Sequence, residues 1–414
     1  MVDDFQFYRK TKLGTCVVVG GCGYLGQRLL NQLCKLRQLE LVAGIIVVDV
    51  QLLSESEKRR YDGVEFLHCA AGTGQLKNWG DEFWRKLFGG TIFFVAACAS
   101  TELHFARAYR TNVQGVEELL CIARLYGARA FVLTSTHNVV FNGTREIVNE
   151  DESTPIVHQF MDIYTQTKAE SERLTLGWNG VNQLHTCALR PGGIYGPGEK
   201  VHFERIRKLA KLGLLYFLIS PVPEKNMVSN STKSEFCVES YCLEDFVHVD
   251  NLVDAHILAA QRLHEEAIDP NVLKTTSGNA FFISENDPQC LQTFYIPALL
   301  ASGISPPLFT LYIPRKWVYP FAVCTQWIAK WLNKKPILMP MELKKSTMIH
   351  TFTSEKANKA FGYIPRKSIQ AGVEEWCRYE QRRSRMNEKS RLGSILILVL
   401  IGLVLWISFV LYRK

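Results

Sequence analysis

The sequence predicts an α/β protein centred on a doubly wound parallel sheet. Three observations carry that prediction. A short β-branched run, Thr15–Val19, leads directly into a glycine turn and a helical stretch; the next apolar run ends in an acidic residue; and apolar runs keep alternating with helical stretches as far as residue 189.

The first strand feeds Gly20-Gly21-Cys22-Gly23-Tyr24-Leu25-Gly26, after which Leu25, Leu29, Leu30 and Leu33 recur at helical spacing. Gly21 is expected to permit the tight turn, Gly23 to let backbone amides approach a pyrophosphate, and Gly26 to let the helix pack close to the strand. Gly20, Gly21, Gly23, Tyr24, Leu25 and Gly26 therefore form the candidate cofactor turn of a Rossmann sheet. The second strand, 45–48, ends in Asp49, whose carboxylate would accept hydrogen bonds from ribose hydroxyls and repel the extra phosphate of NADP. Val50, Gln51 and Leu52 follow without a cation, which favours NAD. Runs at 65–67, 91–97, 130–134 and 185–189 supply the remaining strands.

The strand at 130–134 delivers Thr134-Ser135-Thr136 to the C-terminal edge of the sheet, where such folds bind ligands. Downstream, Tyr164 and Lys168 are spaced one helical turn apart in an uninterrupted helical stretch. Three other pairs share that spacing, but Tyr8 and Lys12 precede the first strand, while Tyr312/Lys316 and Tyr363/Lys367 enclose prolines that disfavour a helix. A tyrosine with a pKa near 10 is a poor base at neutral pH. An ammonium one turn away, together with a positive nicotinamide ring, would lower it by an amount on the order of 4 kcal/mol. Tyr164 would then take the proton of a substrate alcohol while Thr136 hydrogen-bonds its oxygen and the hydride leaves for the nicotinamide.

The chain has 414 residues, 47% apolar and 21% charged, which excludes wholesale disorder and a multi-span transporter. Its net charge of +8 is concentrated at one end. Residues 378–414 hold eight basic and two acidic side chains, and the remainder nearly balances, so no nucleic acid partner is expected. The twelve cysteines show no metal-ligand spacing and are expected to be free thiols in a reducing compartment; no metal site is expected. Residues 392–411 form an uncharged apolar run that, as a helix, spans about 30 Å, so a C-terminal transmembrane helix is predicted. Arg382, Arg383, Arg385, Lys389 and Arg391 precede it, placing the body in the cytosol. The sequons at Asn142 and Asn230 would then remain unmodified.

In its motifs the chain resembles the extended short-chain dehydrogenase/reductase family, and within it the 3β-hydroxysteroid dehydrogenase/isomerase group with its family 42E members. The resemblance runs from about Cys16 to Tyr379, with the C-terminal anchor also shared. It rests on LTSTHNVVFNG from Leu133, CALRPGGIYGPGE from Cys187, EDFVHVDNLVDAHILA from Glu244 and SEKANKAFGY from Ser354. It implies Thr136, Tyr164 and Lys168 as catalytic, Asn112 as a support of the central helix, and Arg190 and Pro191 beside the nicotinamide. Val19, Ala70 and Ala97 depart from the family pattern; the missing aspartate at 70 bears on NAD affinity by about 0.5–1.5 kcal/mol rather than on chemistry.

The implied organisation is an NAD-binding domain over 12–200 with a segment returning near 244–263, a smaller substrate domain mainly over 201–380, a basic linker at 381–391 and the anchor at 392–411. Residues 224–235 read as an inserted loop. The aromatic stretch 317–332 suits a sterol pocket, a bilayer surface or ordinary core packing. The resemblance implies oxidation of a 3β-hydroxysteroid or sterol on a membrane, with the endoplasmic reticulum expected, and leaves room for a homodimer. A nucleotide-sugar epimerase or dehydratase and a non-catalytic NAD-binding scaffold stay open as alternatives.

Overall fold

The computed structural model describes residues 7–211, 217–220, 242–305 and 311–386. Seven strands form one sheet: β1 Thr15–Val19, β2 Gly44–Asp49, β3 Val64–His68, β4 Thr91–Phe94, β5 Ala130–Thr134, β6 His185–Pro191 and β7 Asn279–Ile283. Their order is β7-β6-β5-β4-β1-β2-β3, and every neighbouring pair is parallel. From β1 the chain builds outward through β2 and β3, then returns to β4 on the other side of β1. The C-terminal ends of β1 and β4 therefore flank the crevice where such sheets take a ligand.

Alternation along the strands divides the core in two. Val17 and Val19 of β1 face a cluster with Ile46, Phe94 and Leu133, whereas Cys16 and Val18 face one with Phe93, Val132 and Leu189. Helix α1, Tyr24–Gln38, lays Leu29, Leu30, Leu33 and Leu36 on the second cluster, and α2, Gly115–Tyr126, lays Val116, Leu119 and Leu120 on the first. Each fully buried leucine contributes about 1.5–3 kcal/mol.

Six further helices matter below: α3 Ile163–Gly177, α4 His202–Lys211, α5 Val249–Ile268, α6 Arg315–Trp331, α7 Pro340–Lys345 and α8 Ile369–Met386. A second sheet, in the order Gln289–Cys290, Leu243–Glu244, His350–Phe352, Ile147–Glu150, joins the C-terminal part to the loop after β5.

Three expectations change. The strand expected over 91–97 stops at Phe94, because Ala96 must lie against the glycine turn. The returning segment is longer than 244–263: β7 also re-enters the main sheet, pairing Asn279–Ile283 with residues 187–191. The cysteines are not all free, since Cys242 and Cys290 form a disulfide with Cα atoms 5.1 Å apart. Antiparallel pairing of Leu243 with Cys290 brings them together across a separation of 48 residues that spacing alone does not reveal. Among the described residues no helix is long and apolar enough to cross a membrane; the run 392–411 and the inserted segment 224–235 lie outside them.

Candidate active site

At the crevice, the left-handed backbone of the turn is at Gly20, with φ of 86°, rather than at Gly21. Gly21 serves packing instead: a Cβ there would meet Val47 Cγ1 at 2.7 Å. Gly26 behaves as expected, since its Cβ would lie 2.1 Å from the Gly20 carbonyl oxygen, so α1 can start this close to β1 only without a side chain. Gly23 immediately precedes α1, whose first amides face the crevice end of the sheet. Leu25 is buried beneath the turn, and the buried Tyr24 hydroxyl finds no hydrogen-bond partner among the described residues. At the end of β2, Asp49 Oδ2 accepts from the Cys22 amide and Oδ1 from the Gln51 amide, both at 2.8 Å. This fixes the carboxylate beside the turn and leaves a lone pair on each oxygen. A bare glycine cradle, a helix N-terminus and a positioned carboxylate fit a dinucleotide.

Three consecutive hydroxyls end β5, and their partners differ. Thr134 bonds His256 Nε2 at 2.7 Å, while His256 Nδ1 bonds the Leu252 carbonyl at 2.8 Å. Burial pushes that imidazole down to about 4, so it is neutral and accepts the threonine proton. Ser135 donates to Glu172 Oε2 at 2.6 Å. Thr136 only accepts, from the Asn138 amide at 3.3 Å, and its own proton has no acceptor among the described residues. Of the three, Thr136 alone keeps a donor for a ligand.

Helix α3 begins where Asp162 caps it, its Oδ1 accepting from the Thr165 amide at 2.7 Å. The inner face of this helix is polar. Thr165, Thr167, Lys168, Ser171, Glu172 and Thr175 are all buried. Lys168 Nζ donates to the Thr134 carbonyl at 2.9 Å and the Ala96 carbonyl at 3.4 Å, which ties α3 to the ends of β5 and β4. Burial pushes its pKa down to about 8. Burial, reinforced by the Asp162 carboxylate, pushes the Tyr164 phenol above its ordinary value, while the Lys168 ammonium donates to the two carbonyls.

Asn112 holds this arrangement from below. It sits in a wide π turn, Arg110–Gln114, accepts from the Cys98 amide and donates to Thr167 Oγ1, both at 2.9 Å. Thr167 in turn donates to the carbonyls of Ile163 and Tyr164. Arg190, expected beside a nicotinamide, directs its guanidinium into the protein instead: Nη2 meets Glu172 Oε1 at 2.5 Å, and the cation stacks 5.2 Å from the Phe282 ring. Only its Nη1 lacks a partner among the described residues, and Pro191 closes β6 beside it. Sequence reasoning missed Glu172, although it lies one turn beyond Lys168 on the same helical face.

A second buried group stands beside Thr136. Glu244 Oε1 meets Lys345 Nζ at 2.5 Å and the Nε2 atoms of His137 and His350 at 3.4 Å each. Burial alone would raise the Glu244 carboxyl, but Lys345 and the histidines hold it well below its usual range. Burial pushes His137 down to about 4. These three side chains have the composition of a metal triad, yet the Lys345 ammonium already supplies the cation.

Comparison with known proteins fits this geometry. Residues 17–311 match the model of the 3-beta hydroxysteroid dehydrogenase/isomerase family. The chain is 30% identical to the short-chain dehydrogenase/reductase family 42E member 1 of Bos taurus, over 96% of this chain and 97% of that one. It is 29% identical to the decarboxylating sterol-4-alpha-carboxylate 3-dehydrogenase of Saccharomyces cerevisiae, over 88% and 97%. Among solved structures, the epimerase Mth375 of Methanothermobacter thermautotrophicus superposes with a TM-score of 0.64 at 16% identity, covering 92% of this chain and 96% of that one. The Thermus thermophilus UDP-glucose 4-epimerase, solved with NAD, gives 0.60 at 18%, covering 89% and 99%. At these identities the structures share the fold.

Proposed function

This chain belongs to the 3-beta hydroxysteroid dehydrogenase/isomerase family of oxidoreductases, and on that premise we propose that it oxidises the 3β-hydroxyl of a steroid or sterol with NAD. Bound at the glycine turn, NAD supplies the hydride acceptor and a positive ring. The cradle of Gly20, Gly21, Gly23 and Gly26 and the first turn of α1, with Tyr24 and Leu25, would hold the pyrophosphate, and Asp49 the ribose. Thr136 donates its proton to the substrate oxygen and so fixes the alcohol. With the positive ring of bound NAD beside it and the Lys168 ammonium one turn away to favour its phenolate, Tyr164 would take the alcohol proton as general base. Lys168, held by two carbonyls, keeps a cation one turn below Tyr164 when protonated, and Asn112 and Thr167 hold the turn that carries the tyrosine. Arg190 and Pro191 brace the floor through Glu172, with Nη1 of Arg190 left for the cofactor.

The observation that carries this reading is the division of the three β5 hydroxyls, because it singles out Thr136 on the same sheet edge as Lys168. The sterol is supported by the yeast relative, which acts on a sterol carboxylate according to its name. Residues 201–380, apart from the segments that return to the main sheet, are the proposed substrate domain. Residues 392–411 are the proposed membrane anchor, with the body facing the cytosol at the endoplasmic reticulum, a setting that suits a substrate dissolved in the bilayer.

The test is NADH formation by the detergent-solubilised chain on a panel of 3β-hydroxysteroids and sterols, with Tyr164→Phe in parallel. Turnover is expected on at least one of them, falling by about 10²-fold or more in the variant. Retained turnover in Tyr164→Phe would remove the general base, and NAD binding without any turnover would favour a non-catalytic scaffold.

A further inference from the structure

Beside Thr136 the charge of Glu244 is balanced, but the hydrogen bonding around it is not. Glu244, His137 and His350 are at most 2% exposed. Three of their polar atoms find no hydrogen-bond partner among the described residues: His137 Nδ1, Glu244 Oε2 and His350 Nε2. Buried polar atoms left in this way are costly, and a cluster of them points to a ligand. Residues 137, 244 and 350 follow no ligand spacing, so the set is invisible in the sequence.

The His350 ring gives the sign of that ligand. Its Nδ1 donates to the Met348 carbonyl at 3.2 Å, so the neutral ring keeps its lone pair on Nε2 and turns it toward Glu244 Oε1 at 3.4 Å. A lone pair facing a carboxylate oxygen is repelled by it unless a cation lies between them. A carbonyl on the far nitrogen is also how a metal-ligating imidazole is oriented. His137, kept neutral by burial, presents its Nε2 to the same oxygen at the same 3.4 Å. In a tetrahedral zinc site with bonds of about 2.0–2.1 Å, ligand atoms stand about 3.3–3.4 Å apart, which is this separation. One ligand atom from each of the three residues lies within 4.8 Å of the others. Two imidazoles and a carboxylate suit zinc, whereas magnesium and calcium take oxygen shells.

Lys345 balances the carboxylate, and it can leave. Its side chain is 17% exposed, against 2% for that of Glu244, so the ammonium has a path to solvent. Helix α7 stays docked without this contact, because Glu342 pairs with Arg205 of α4 at 2.6 Å. The other set of similar composition among the described residues, His248, Asp250 and Glu375 of α8, differs on both counts. Its two carboxylates are more than a third exposed and already share the Lys367 ammonium.

We infer that His137, Glu244 and His350 form a zinc site in which the metal exchanges with the Lys345 ammonium and leaves its fourth position to water. The site stands apart from the proposed hydride transfer, and its test requires no turnover. It is nevertheless adjacent to that chemistry: His137 directly follows Thr136, so bound zinc ties the turn His137–Val140 to the second sheet, where Glu244 pairs with His350.

The full chain, solubilised in detergent and stripped with a chelator, is dialysed against zinc alone. It is expected to take up zinc whose X-ray absorption spectrum reports nitrogen and oxygen neighbours at about 2.0–2.1 Å rather than thiolate sulfur at about 2.3 Å. His137→Gln and His350→Gln should each weaken that binding by about tenfold or more. Lys345→Met removes the competing cation, so it should tighten zinc binding by about tenfold or more. Zinc should also raise the melting temperature of Lys345→Met further than that of the unmodified chain. A sulfur shell would assign the metal to cysteines and overturn the inference. So would binding unchanged in His350→Gln, weaker binding in Lys345→Met, or no uptake by either that variant or the unmodified chain. A Lys345→Met chain that folds only with zinc supports the exchange; if it folds in neither condition, the absorption spectrum of the unmodified chain decides.

Discussion

The inner face of α3 and the outer face of α6 both violate the rule that a helix turns apolar residues inward, and they violate it in opposite directions. Helix α3 buries Thr165, Thr167, Lys168, Ser171, Glu172 and Thr175; α6 exposes three tryptophans and a phenylalanine. The first inversion is stabilised internally: Thr167, Lys168 and Glu172 have partners from Asn112, the end of β5 and β6, while the Thr165, Ser171 and Thr175 hydroxyls bond the helix cap or carbonyls of the helix itself. The second has no protein partner among the described residues and points outward for one. An inverted face thus marks chemistry when its partners lie inside the fold, and an interface when they do not.

Four perturbations break or sharpen this contrast. The largest effect is expected at Glu172, whose carboxylate neutralises buried Arg190 and accepts from Ser135: Glu172→Ala should cost about 3–5 kcal/mol in denaturant unfolding, because it strands a guanidinium. A cost below 1 kcal/mol would mean that the α3 face is not held by its polar contacts. Lys168 comes next. Its folded pKa, about 8, lies below the unfolded value near 10.4, so between those values the unfolded chain binds more protons and stability rises with pH. The rise should total on the order of 3 kcal/mol and vanish in Lys168→Met, as followed by urea midpoints from pH 8 to 10.5. Asn112→Ala leaves the Cys98 amide unsatisfied and should cost about 1–3 kcal/mol, with turnover falling alongside because the turn bearing Tyr164 loosens. The smallest effect belongs to α6: Trp331→Ser should change unfolding free energy by no more than about 0.5 kcal/mol. A loss of 2 kcal/mol there would show that the stripe is packed in the native fold, and the contrast would collapse.

Much of the sheet was legible in the sequence because parallel strands buried on both faces read as continuous apolar runs, as Thr15–Val19 and Ala130–Thr134 do. The glycine turn and Asp49 were legible for the same local reason. What stayed hidden was tertiary. Asn279–Ile283 is a short run well separated from the alternating region, and only pairing with β6 identifies it as the seventh strand. Glu172 and Ser171 look like a solvated helix face in sequence, and burial beside Arg190 cannot be read from spacing. The Cys242–Cys290 link depends on strand register. Spacing places Lys168 one turn from Tyr164 but shows neither the burial and the Asp162 carboxylate that raise the phenol nor the Thr134 and Ala96 carbonyls that the ammonium meets.

The late return of β7 has a consequence in time. All seven residues of β6 are buried in the finished sheet, and the strand that covers its outer edge begins roughly ninety residues further along the chain. At 5–20 residues per second, a ribosome leaves that edge unpaired for on the order of ten seconds after β6 is made. During that interval the nascent chain carries an open apolar strand edge of the kind that recruits another strand or a chaperone. The glycine turn at the start of the chain can form early, but the floor beneath Glu172 and Arg190 is completed only when Asn279–Ile283 has left the exit tunnel.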